Sequence, residues 1–169
     1  MRTEEDIRMC VEQYADTVRR ICVVNLKNEA DADDIFQNVF LKYAQYEGDF
    51  SNEEHKKAWI IKVTENACKD FLKSFFYKNR ISIDEIKEIA AAASPSHPEV
   101  MEAVLQLPES YRNVIYLYYY EGYSAVEIAQ ILKKNVNTIY TTLDRAKKQL
   151  KERLGGDEDD GEPNQRSIS

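Results

Sequence analysis

No stretch limits the folding options of this chain more than Tyr123–Leu150, YSAVEIAQILKKNVNTIYTTLDRAKKQL. Ser124 followed three residues later by Glu127 predicts a capping box, in which each side chain satisfies a backbone N–H at a helix entry. Ala125, Ile128, Ala129 and Leu132 recur at helical spacing and predict a short helix with one apolar face. Lys133-Lys134-Asn135 breaks the pattern, and Asn135 is a good N-cap for a second helix. That helix turns Val136, Ile139, Leu143, Ala146 and Leu150 to one side. Its other side shows Asn137, Thr138, Thr141, Thr142, Arg145 and Lys148. Two short helices joined by a tight turn, the second with an outer face of amides, hydroxyls and cations, describe a helix-turn-helix. Such a second helix fits the major groove of DNA, where Asn, Thr and Arg reach base edges. A plain helical hairpin with a solvated polar face fits the same pattern, so the remainder of the chain has to decide.

Charge narrows the choice. The 169-residue chain carries a net charge of -7, where a self-sufficient DNA-binding protein has a basic surplus. The imbalance is local: residues 106–154 hold 8 Lys+Arg against 5 Asp+Glu, while 155–169 hold 1 against 5. A cationic helix-turn-helix inside an acidic chain points to a DNA reader that works with a larger partner. No apolar run approaches the ~18 residues that span a membrane, and MRTEEDIRMC lacks the apolar core of a secretory signal. Cys10, Cys22 and Cys68 show no paired spacing and read as reduced core residues of a cytoplasmic protein. His55 and His97 stand alone, so no metal site or cofactor is expected. Neither paired carboxylates, an activated nucleophile nor a phosphate-cradling glycine loop points to catalysis.

Upstream, Ile7, Cys10, Val11, Tyr14, Val18, Ile21 and Cys22 predict a long amphipathic helix that ends at Asn25–Asn28. Asp31, Asp33 and Asp34 crowd the start of the next helix, where carboxylates suit the positive end of the dipole. Its inward face is Ala32, Ile35, Phe36, Val39, Phe40 and Tyr43, with Gln37, Asn38 and Lys42 outside. Gly48–Glu54 reads as a loop. From about His55 to Asn79 a further helix turns Trp59, Ile60, Val63, Ala67, Phe71 and Phe75 inward. On it a stripe at spacings of three and four runs Trp59, Lys62, Asn66, Lys69, Lys73. Cations with an aromatic and an amide on one face suit a phosphate backbone and exposed bases, and equally suit a solvated lysine face beside a core tryptophan. Ile83, Ile86 and Ile89 suggest a marginal helix, and AAAASPSHP reads as a flexible spacer. Pro98 and Pro108 open two more helices, the second stopped by Gly122. Among Tyr116, Tyr118, Tyr119 and Tyr120 at least one should face outward. The last 15 residues, GGDEDDGEPNQRSIS, hold too little apolar surface to fold.

The two halves together resemble a sigma factor of bacterial RNA polymerase, of the short extracytoplasmic-function type. DADDIFQNVFLKY and, after a loop, AWIIKVTENACKDFLK are similar to the two signature pieces of the family's second conserved region. LPESYRNVIYLYYYEGYSAVEIAQILKKNVNTIYTTLDRAKKQL resembles the fourth. The likeness covers about residues 5–154. It implies an all-α protein of two small helical domains joined by a flexible linker. Residues 1–80 would form a region 2-like domain for core polymerase and the -10 element. Residues 81–97 would be the linker, 98–154 a region 4-like helix-turn-helix domain for the -35 element, and 155–169 an acidic disordered tail. The resemblance implies core RNA polymerase, promoter DNA and an anti-sigma factor as partners, with no membrane insertion. It assigns Asp34, Gln37, Asn38, Phe40 and Lys42 to core polymerase. Loop 48–55 with Trp59, Lys62 and Asn66 would hold an extruded -10 base, and Lys69 and Lys73 would follow its backbone. Thr141, Asp144 and Arg145 would read the -35 element, with Asn137 and Thr138 near phosphates and Lys148 also among the -35 contacts.

The chain departs from the family pattern in places. Lys133 stands where members often have Gly, and Tyr140 and Thr142 stand where they often have cations. A free-standing helix-turn-helix regulator would explain residues 123–150 but leave the Asp31 and Trp59 segments without a role. A sigma-like decoy that binds polymerase without starting transcription is the third possibility.

Overall fold

The computed structural model of the chain describes residues 2–74 and 83–155. These form eight α-helices and no strand, divided between two compact units, Met1–Ile81 and Ser82–Ser169. None of the described helices is long and apolar enough to cross a membrane, and no group of side chains among the described residues could hold a metal ion.

The first unit is a three-helix assembly of α1 (Glu4–Leu26), α2 (Glu29–Gln45) and α3 (Glu53–Ser74). Thr3 caps α1 by accepting from the Asp6 N–H, and Glu4, Glu5 and Asp6 add negative charge to the first turn. Lys27 ends α1 in the left-handed conformation (φ 53°), and the next residue, Asn28, caps α2 through the N–H groups of Ala30 and Asp31. The two-residue connection forces α1 and α2 to pack as neighbours. Cys10, Tyr14, Val18, Ile21 and Cys22 of α1 and Ala32, Ile35, Val39 and Tyr43 of α2 are buried where the two helices pack together. On α3 the most deeply buried residues are Ile60, Ile61, Thr64 and Cys68, whereas Trp59, Val63, Ala67 and Phe71, read from the sequence as the inward face, are half-buried. Two features allow this rotation. Thr64 enters the core because its hydroxyl donates back to the Ile60 carbonyl (2.7 Å), and the buried carboxyl of Glu65 accepts from the Asn25 amide (3.1 Å). Phe75 and the expected extension of the helix to Asn79 lie outside the described residues.

The second unit contains α4 (Ile83–Ala93), α5 (Pro98–Leu105), α6 (Glu109–Tyr119), α7 (Ala125–Leu132) and α8 (Val136–Leu154). Much of the expected spacer is thus a helix. Ala90–Ala93 belong to α4, which packs on α5 with Ile86, Ala90 and Ser94 buried. Alanine is the strongest helix former, so once Ile86 has a surface to bury against, the alanine run extends the helix instead of loosening it. Gly122 (φ 74°) carries the turn that stops α6, with the Tyr123 N–H closing on the Leu117 carbonyl at 3.1 Å. None of the four tyrosines is fully exposed. Tyr116 and Tyr118 are buried, Tyr119 and Tyr120 are half-buried, and Tyr116 stacks on Tyr120. The tail beyond Gly155 lies outside the described residues.

Candidate nucleic-acid interface

The helix-turn-helix forms through the contacts that its sequence predicts. Ser124 Oγ accepts from the Glu127 N–H (3.2 Å), and Glu127 Oε1 accepts from the Ser124 N–H (3.0 Å), completing the capping box. Lys133 ends α7 with φ 55°, the left-handed geometry that a β-carbon disfavours. Asn135 starts α8 by accepting from the Asn137 N–H at 2.8 Å. Along α8, Ile139, Leu143, Ala146 and Leu150 are buried, which turns the opposite side out. Asn137, Thr138, Thr141, Asp144, Arg145 and Lys148 are all exposed on that side. At 100° per residue, Asn137, Thr141, Asp144 and Lys148 align in one stripe, with Thr138 and Arg145 beside it. Lys147 is spent differently, its ammonium lying 4.6 Å from the centre of the Tyr118 ring. The sequence reading missed one feature of this surface: Tyr140 is 56% exposed and adds an aromatic ring to its edge.

In the first unit, Lys62, Asn66, Lys69 and Lys73 are exposed on α3, one helical line of three cations around one amide. Asp70 is exposed on the same side, four residues beyond Asn66, and interrupts the positive field. Trp59 differs from the rest of the stripe. Its ring is half-buried in an aromatic cluster, 4.7 Å from Tyr46, 5.7 Å from Phe50 and 6.1 Å from Tyr43. It therefore joins α3 to the loop that precedes it.

That loop closes onto the first turn of α3. The Ser51 N–H donates to His55 Nδ1 (3.1 Å), and the His55 N–H donates to Asn52 Oδ1 (2.8 Å). Phe50 points inward to the cluster, whereas Asp49, Ser51 and Asn52 are exposed. Lys62 follows Trp59 by one turn of α3, and Asn66 stands about 10 Å beyond Trp59 along the axis. The exposed loop residues and the exposed Lys62 and Asn66 thus lie on either side of Trp59, with the carboxylates of Asp49, Glu53, Glu54 and Asp70 exposed among them.

On α2, Asp34, Gln37, Asn38 and Lys42 share an exposed face. Phe40 does not belong to it. It is 6% exposed, with its ring 4.8 Å from Phe36, and acts from beneath as packing. The apolar residue actually presented is its neighbour Leu41, 55% exposed and one turn from both Gln37 and Asn38. Helical periodicity reads Phe40 as a core residue, and its burial leaves Leu41 as the exposed apolar side chain of this face.

Comparison with known proteins places the chain in a family. The family model Sigma-70 region 2 matches residues 10–74, and Sigma-70, region 4 matches residues 97–150. The chain is 30% identical over 148 residues to RNA polymerase sigma factor SigV of Bacillus subtilis (strain 168), covering 86% of this chain and 89% of that protein. It is 24% identical over 161 residues to ECF RNA polymerase sigma factor SigW of the same organism, covering 85% and 86%. Its fold matches the sigma factor RpoE from Bartonella quintana, solved with the anti-sigma factor NepR, at a TM-score of 0.68 and 20% identity over 91% of this chain and 99% of that one. CnrH, solved with the cytosolic domain of CnrY, matches at 0.63 and 22%, over 92% of each chain. With region 2 carried by α1–α3 and region 4 by the helices that end in α8, the chain belongs to the extracytoplasmic-function sigma factors, which bind core RNA polymerase, recognise -35 and -10 promoter elements and promote DNA opening.

Proposed function

We propose that this sigma factor divides promoter recognition between its two units. On α8, Thr141, Asp144 and Arg145 read base edges of the duplex -35 element, while Asn137, Thr138 and Lys148 hold its phosphates. In the first unit, loop 48–55 with Lys62 and Asn66 captures a base extruded from the -10 element, and Lys69 and Lys73 follow the single-stranded backbone. Trp59 acts as the wall of that site by fixing the loop against α3. The exposed face of α2 (Asp34, Gln37, Asn38, Leu41 and Lys42) docks on core polymerase, with Phe40 holding it in shape. Residues 1–80 are then the polymerase and -10 module and 98–154 the -35 module, with α4 packed on α5 in the second unit. The protein acts in the cytoplasm by binding alone, without chemistry of its own. An anti-sigma factor is a further partner, as NepR is for RpoE of Bartonella quintana.

The observation that supports this division most strongly is the pair of exposed polar and cationic helix faces, one in each unit, on a chain whose net charge is -7. Two local sites on an acidic protein require a larger scaffold to hold them on DNA at once. Run-off transcription with added core polymerase tests the reading against its rivals. Promoter-dependent transcripts support it. Tight polymerase binding without transcripts would indicate a decoy, and DNA binding without polymerase binding a free-standing regulator.

A further inference from the structure

We propose that Arg2 is a positioning residue for the loop that captures the melted -10 strand, an inference that rests on the assignment of loop 48–55 given above. The Arg2 side chain is only 17% exposed. One Nη donates to the Gly48 carbonyl (2.8 Å), the other to Asp6 Oδ2 (3.1 Å). The guanidinium carbon lies 4.5 Å from the centre of the Tyr43 ring, 5.1 Å from Phe50 and 5.9 Å from Tyr46. The Arg2 backbone is held too, its N–H donating to the Ala44 carbonyl at 3.2 Å.

Asp6 closes the arrangement by accepting from the Tyr43 hydroxyl at 2.9 Å. Burial opposes the charge on Asp6, but the bonds from Tyr43 and Arg2 outweigh it and hold the carboxyl below its ordinary range. The start of α1, the end of α2 and the loop are thereby joined through one guanidinium. Only a planar cation that donates in two directions while stacking on rings can make this set of contacts. Gly48 completes the design, because a β-carbon there would collide with the Tyr46 ring. The loop backbone is therefore fixed at both ends, by Arg2 at Gly48 and by His55 and Asn52 at residues 51–52. Between these anchors the Phe50 ring lies among Arg2, Tyr46, His55 and Trp59, so the exposed edges of Asp49, Ser51 and Asn52 are presented in one arrangement. A loop ordered in advance does not have to be ordered by the captured base, which sharpens selection of that base.

Trp59, the chain's single tryptophan, reports on the cluster without any DNA. The full chain is compared with Arg2→Ala and Arg2→Lys in two measurements. One is acrylamide quenching of Trp59 in the free protein. The other is enrichment by the holoenzyme from pre-melted duplexes randomised across the -10 element. Arg2→Ala is expected to raise quenching and to flatten -10 enrichment by about tenfold, the scale of losing a charge-assisted hydrogen bond. Arg2→Lys should restore part of both, and polymerase binding should stay unchanged. Unchanged quenching in Arg2→Ala would overturn the proposal, as would a parallel loss of polymerase binding, which would mean that Arg2 merely supports the fold. Raised quenching with unaltered enrichment would leave the pinning intact but overturn the assignment of the loop as the -10 reader.

Discussion

At the residue scale, backbone geometry and side-chain chemistry have to be weighed together at Lys133. The turn between α7 and α8 needs φ > 0, and Lys133 adopts it at 55°. The strain of a β-carbon there amounts to about 1 kcal/mol or less, partly offset because glycine is freer in the unfolded chain. Lys133→Gly should therefore raise the urea midpoint of the second unit slightly, by up to about 1 kcal/mol of stability. A lower midpoint would show that the lysine side chain supplies a contact worth more than the strain it imposes. This turn was legible in the sequence because the capping box and Asn135 bracket it. The Arg2 cluster was not. Its members, Arg2, Asp6, Tyr43, Tyr46, Phe50 and Trp59, come from four separate segments, and no local spacing announces their meeting. The aromatic Phe50 inside an otherwise polar loop was the one available signal.

At the scale of elements, the apolar periodicity fixed most helices because each buries a single stripe. It failed where local composition pointed one way and tertiary packing the other. The alanine run at 90–93 reads as a spacer until Ile86 and Ala90 are seen against α5. If that packing holds α4 in the second unit, Ile86→Ala should cost about 2–3 kcal/mol, from lost apolar burial and the cavity left behind. Chemical denaturation of the full chain would measure it. A cost near zero would mean that α4 contributes nothing to the unit's stability and that the spacer is loose after all. On α3 the most deeply buried side was misjudged for a different reason. Thr64 and Glu65 are polar residues that burial tolerates only through specific partners, and sequence periodicity counts them as surface. The cation stripe survived that error, since Lys62, Asn66, Lys69 and Lys73 all emerge exposed. Phe40 and Leu41 show the converse, where an inward residue was correctly read as core and its outward neighbour was overlooked.

At the scale of the whole molecule, charge decides what the protein does alone. With a net charge of -7, and only a few exposed cations on the proposed DNA-facing sides of α3 and α8, the free chain should bind duplex DNA weakly and lose that binding steeply as salt rises. Fluorescence anisotropy with and without core polymerase would show promoter binding tightening greatly in the complex. Nanomolar, sequence-specific binding by the free chain at physiological salt would contradict this. The division of labour is tested most directly by permanganate reactivity of unpaired thymines, with holoenzyme on duplex and on pre-melted promoter templates. Asn66→Ala should spare polymerase binding and -35 recognition yet reduce open complex about ten- to hundredfold, the scale of roughly 1–3 kcal/mol for a lost hydrogen bond in a closed pocket. Arg145→Ala should lose signal on the duplex and recover it largely on the pre-melted template, and Gln37→Ala should lower both together through weaker polymerase docking. Equal losses for Asn66→Ala and Arg145→Ala on both templates would contradict the assignment of opening to α3 and duplex reading to α8.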